Sequence, residues 1–139
     1  MSKKRRRGTP PTDQTNVKPG DPPKNPGCVR LGFRLLQKGW GVSALTHEKA
    51  HAFLEKWEKR GTMTWDSVIM AGKHNLGSET LPACEIIPQL PEWMEPDQKL
   101  IVLRHYDRLP QVGIRILDTF EVIWIEPEYN KLYLSLIHI

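Results

Sequence analysis

Residues Leu100 to Tyr133 hold three or four short runs of alternating apolar residues separated by turn signals. That period of two is the pattern of an antiparallel β-meander, and it leaves the upstream residues to act as cover and connector for a sheet. Leu100, Val102 and Arg104 alternate with Ile101, Leu103 and His105. Both sets begin apolar, as in a central strand. A turn is expected over Asp107 to Pro110 and another at Asp118 and Thr119. Alternation then predicts that Phe120, Val122 and Trp124 share a face opposite Glu121, Ile123 and Ile125, with Arg115 and Glu121 on the less buried side. Lys131 to Tyr133 reads as the start of an edge strand.

Charge divides the chain before the sheet begins. Up to Arg30 there are eight Lys and Arg against two Asp, and from Leu31 onward twelve against fourteen Asp and Glu. Residues 1–27 hold six of the twelve prolines, the Lys3–Arg7 cluster and a single aliphatic residue past Met1, Val17. Such a segment buries too little apolar surface to offset its ordering entropy, so a disordered basic arm is expected, with Lys3–Arg7 a possible phosphate anchor. Residues 28–133 are long enough for one core, which makes a single domain the expectation. Leu134–Ile139 (LSLIHI) reads as a translated sequencing-library adapter, so the natural sequence is expected to be replaced after Tyr133 and the true C-terminus to be missing.

Between arm and meander, Val29–Leu36 reads as a first strand or short helix. Thr46 is placed to cap a helix from His47 to about Arg60, with Ala50, Phe53, Leu54 and Trp57 on one face and Gly61 as its stop. Thr64 caps a second, shorter helix with Trp65, Val68, Ile69 and Gly72 inward, ended by the Asn75–Gly77 turn. Pro82, Pro88, Pro91 and Pro96 mark Glu79–Gln98 as an extended connector. The expected class is therefore α+β: two helices packed on a small antiparallel meander of about four strands. Two isolated cysteines, Cys28 and Cys84, and no apolar run long enough to span a membrane point to a cytoplasmic protein without a disulfide framework.

Two constellations carry candidate chemistry. His47, Glu48 and His51 spell H-E-x-x-H, two histidines one helical turn apart that can share a zinc ion with the glutamate set to activate its water. The motif opens its helix, Lys49 puts a cation within it, and a third ligand would have to come from His74, Glu79 or His105. The other reading of the same residues is an amphipathic helix start with Glu48 at the positive end, needing no cofactor. The second constellation is Arg104, Arg108, Arg115 and His74. Arginines stabilise the developing charge of a cleaved phosphodiester and a histidine moves the proton, a metal-free ribonuclease set.

Gly113–Ile125 (GIRILDTFEVIWI) resembles the central hairpin of RelE/ParE-type toxins, with Arg115 matching the first-strand arginine, Phe120 the aromatic, and Val122 and Trp124 the closing pair. Glu121 stands where those toxins usually carry another arginine. Met63–Trp65, His74–Glu79 (HNLGSE) and Leu132–Tyr133 also resemble small bacterial proteins that end in L-Y-x-H. The resemblance implies a toxin of a toxin-antitoxin pair that binds or cleaves RNA or acts on the ribosome, with an antitoxin as partner. A non-catalytic module that binds another protein through its sheet edge or aromatic face is the alternative, and a zinc-dependent hydrolase a further one.

Overall fold

The computed structural model describes residues 28–71 and 78–134. The basic arm, His74, Gly72, the Asn75–Gly77 turn and all of the LSLIHI segment past Leu134 lie outside them. Among the described residues the architecture is α+β. The elements run β1 (Arg30–Gly32), α1 (His47–Arg60), α2 (Trp65–Met70), β2 (Ser78–Pro82), β3 (Lys99–Tyr106), β4 (Leu109–Ile116) and β5 (Thr119–Ile125). The five strands form one sheet in the order β1-β5-β4-β3-β2.

Both helices begin as their caps dictate. The Thr46 hydroxyl accepts from the Lys49 amide and the Thr64 hydroxyl from the Ser67 amide. Glu48 sits in the positive first turn of α1 and Lys59 and Arg60 in its negative last turn. The buried stripe of α1 is Phe53, Trp57 and Arg60, while Leu54 faces solvent; in α2 Trp65 and Val68 are buried and Ile69 is outward. The expected inward positions of Leu54 and Ile69 are thus corrected. Each sits beside a buried residue, Phe53 or Val68, on a helix that meets the sheet along one narrow line.

The meander holds, with three changes. The sheet has five strands, since β1 adds in parallel to β5 and β2 adds antiparallel to β3. Pro82 is admitted because β2 is an edge strand and the proline ends it. The turn before β4 is only Asp107 and Arg108, and Lys131–Tyr133 is no strand but a bent segment that buries Leu132 and Tyr133. Face assignment changes most. Val112 pairs with Trp124 but Gly113 pairs with Val122, which leaves Ile123 as an extra residue. This β-bulge breaks the period of two, so Trp124 lies opposite Phe120 and Val122 rather than beside them.

The core forms two layers, one on each face of the sheet, and the bulge decides which layer Trp124 and Ile125 join. Phe53, Trp57, Trp65, Val68, Leu103, Phe120, Val122 and Ile125 fill the helix side. Leu81, Ile86, Met94, Leu100, Val102, Val112, Trp124, Leu132 and Tyr133 fill the other, beneath the proline-rich connector. Glu121 is buried on that second side, where its carboxylate accepts from the Arg34 amide and lies 3.5 Å from the Arg34 guanidinium. Its expected place beside Arg115 on an open face is corrected: Arg115 pairs with Phe120 and Glu121 with Ile114, so the two point to opposite faces.

Candidate functional site

Each arginine of the phosphodiester set has a different environment. Arg104 is 2% exposed, on the connector side of β3. Its guanidinium forms an ion pair with Glu79 and donates to the Arg108 carbonyl at 3.1 Å and the Tyr133 hydroxyl at 3.3 Å. Burial pushes the Tyr133 phenol up and the Arg104 charge draws it back down. Arg108 is exposed in the β3–β4 turn, where its amide donates to the Tyr129 hydroxyl at 3.3 Å and that hydroxyl donates to Asp107 at 3.0 Å. Arg115 is exposed on the helix side near the other end of β4, its guanidinium 4.7 Å from the centre of the Trp65 ring and its Nε donating to the Leu117 carbonyl at 2.8 Å. At about 3.3 Å per residue, Arg108 and Arg115 stand roughly 23 Å apart along the strand. The three arginines do not converge, and His74 lies outside the described residues.

The H-E-x-x-H residues are also placed apart from one another in role. His47 is exposed. Glu48 accepts from the Tyr106 hydroxyl at 2.8 Å, which raises that phenol, and His51 Nδ1 lies 3.4 Å from Glu55 on the next turn. Glu79 is held by Arg104, and His105 is buried under α1. Among the described residues no group of three His, Cys, Asp or Glu side chains is set to hold a metal ion.

His105 instead belongs to a polar layer between α1 and the sheet that the alternation did not reveal. Its Nε2 lies 2.8 Å from the Glu126 carbonyl, which only accepts, so Nε2 carries the proton. Its ring meets Phe53 edge-on at 6.1 Å. Nearby, Trp57 Nε1 donates to Gln111 at 3.1 Å and Arg60 donates to the Arg104 carbonyl at 2.6 Å. Burial first, then the charges of Lys49, Arg60 and Lys56, push His105 down to about 4, against a raising contribution from Glu126. Burial likewise pushes Arg60 down to about 10.

A folded-state value below the unfolded one means that the unfolded chain binds the extra proton. Stability is therefore complete above about pH 6.5 and is lost as the pH falls toward 4, by about 3 kcal/mol. Urea titrations at pH 7 and pH 4 measure this loss. In His105→Gln, which keeps a donor for the Glu126 carbonyl, the difference between the two is expected to shrink by that amount.

What the chain does bring together is a groove of about 570 Å³ on the helix side, lined by Trp65 and Ile69 from α2, Ser78–Thr80 from β2, Ile101 from β3 and Arg115 from β4. Its α2 wall is a helix of only six residues, Trp65–Met70. Ile69 is 55% exposed at its wall. A second trough of about 380 Å³, lined by Thr80–Pro82, Cys84, Pro96, Asp97 and Lys99, meets the first at Thr80. Strand β2 lies along both, last in the sheet. Of these residues the sequence marks Arg115 as a phosphodiester candidate and Glu79 as a possible third zinc ligand; the place of Pro82 is the one available sign of an edge strand. A scan against protein-family models found no match, and searches of curated proteins and of solved structures found none either.

Proposed function

We propose that this chain is a non-catalytic module that binds another protein through the open helix side of its sheet, between α2 and the β2 edge. The observation that carries the reading is the groove itself: apolar walls at Trp65, Ile69 and Ile101, with one exposed cation, Arg115, held in place above the Trp65 ring. Recognition sites combine apolar surface with a few fixed polar groups in this way. A guanidinium already positioned by a ring and a backbone carbonyl loses little freedom when it meets a partner. Single-site phosphodiester chemistry draws less support from the same geometry. Arg104 is spent on a buried ion pair, and Arg108 and Arg115 stand at opposite ends of β4. An antitoxin-type partner is compatible with the proposal, because it too would be a protein seated on Arg115.

The test begins with immobilised chain and extracts of bacterial cells, and ends with a purified binary complex. Ile69→Asp and Arg115→Glu are each expected to weaken that complex at least about tenfold, as loss of a buried interface contact does, with no change in the urea midpoint. A complex that is indifferent to both substitutions contradicts the proposal. So does growth arrest on induction that Arg115→Ala relieves together with specific RNA cleavage, which would support the toxin reading instead.

A further inference from the structure

Resting on that reading, we propose how the partner binds: an extended segment of it pairs with β2 as a sixth strand, sets an apolar side chain toward Ile69, and brings a carboxylate to the cationic side of the edge, where Lys99 pairs with Pro82 of β2 and Arg115 lies beyond it on β4. Strand β2 ends the sheet, and among the described residues no strand pairs with its outer edge. An unpaired edge presents a row of backbone donors and acceptors, which is the template for strand addition. Its five residues span about 17 Å. Both troughs follow that length and join at Thr80, whose side chain is exposed at their junction. A flat helical partner would need one broad face, whereas a pair of troughs meeting along a strand suits a narrow, extended one.

Charge selects the occupant. Among the described residues no carboxylate pairs with Arg115, while Glu79, the nearest acid of the groove wall, is neutralised by Arg104. A segment carrying Asp or Glu among apolar residues therefore complements the site. The chain's own Lys3–Arg7 cluster does not, since it would bring five cations to a sixth. Nucleic acid fits less well, because the two troughs are walled by isoleucine, tryptophan and proline and the Lys99 of the second is offset by Asp97 beside it.

Short fluorescent peptides of alternating β-branched and polar residues, with one central Glu or the same position as Gln, test this by anisotropy on the full chain. The Glu peptide is expected to bind at least about tenfold more tightly than the Gln peptide, and Arg115→Glu to abolish that preference. N-methylation of alternate peptide amides is expected to eliminate binding for one of the two alternating sets and to spare the other, because only one set faces β2. Binding that is indifferent to N-methylation in both sets overturns strand addition. If Ile69→Asp still weakens it, the interaction reading stands without it. Absence of binding by every peptide overturns the strand proposal even where a reconstituted protein complex survives, and absence of both removes the two together. Sedimentation of the free chain as a dimer that Thr80→Lys dissociates would assign the edge to a second copy, and displacement of peptide by a short RNA would assign Arg115 to phosphate; either result overturns the proposal.

Discussion

Replacing Gly113 by alanine is expected to destabilise the domain by about 3 kcal/mol or more, the scale of a severe steric insertion. A Cβ at this position would land inside the Glu121 carbonyl oxygen and within 2.9 Å of the Val122 Cα. Both are backbone atoms of β5, so no side chain can swing aside to make room. The strands would have to part at the one point where the bulge reverses the facing of Trp124 and Ile125. Those two side chains belong to opposite core layers, and a register change there would expose one or both. Gly39→Ala is the control. Its φ of +85° penalises any side chain, but nothing lies within 4 Å of a Cβ there. A cost of only about 1–2 kcal/mol is expected for that change. Urea denaturation of both variants measures the difference.

The second large effect concerns the Arg104–Glu79 pair, and its asymmetry is the informative part. Glu79→Ala removes the carboxylate that faces a guanidinium whose side chain is only 3% exposed. An uncompensated buried charge costs about 3–5 kcal/mol. Arg104→Met should cost less, because the Glu79 side chain is 29% exposed and water can take up its charge. The double variant Arg104→Met with Glu79→Leu should recover most of the loss, since a buried pair replaced by packed apolar groups is often close to neutral. Additive losses in the double variant would contradict the structural role given to Arg104. Arg108→Ala and Arg115→Ala, both at exposed arginines, are expected to leave stability within about 0.5 kcal/mol of the parent.

How far the sequence shows this fold depends on whether a feature is local. The caps at Thr46 and Thr64, the span of α1 and the three meander strands follow from residues within one turn of each other, and all are present. The facing of Trp124 and Ile125 follows only from Gly113, a residue whose importance lies in what β5 does opposite it, so alternation read strand by strand puts Trp124 on the wrong face. Glu121 does lie opposite Phe120, on the regular side of the bulge, but nothing local shows that Arg34, 87 residues away, closes that face over it. Arg104 looked like its neighbours Arg108 and Arg115 because nothing in the local sequence shows that Glu79, 25 residues away, comes alongside it. Strand β2 was hidden by Pro82, which reads as a breaker until the strand is known to be an edge. The groove was the least visible feature of all. It is formed by side chains from α2, β2, β3 and β4 that are brought together only by the tertiary fold.

The central claim is that binding resides at the Arg115 end of the sheet and not with the arginines as a set. Calorimetric titration of the purified partner with Arg115→Glu and Arg108→Glu side by side tests it most directly, since both are exposed charge reversals roughly 23 Å apart, one in the β3–β4 turn and one near the far end of β4. Loss of affinity in Arg115→Glu with parental affinity in Arg108→Glu is the predicted result. Equal losses in both would contradict the account and return the function to a broad basic surface.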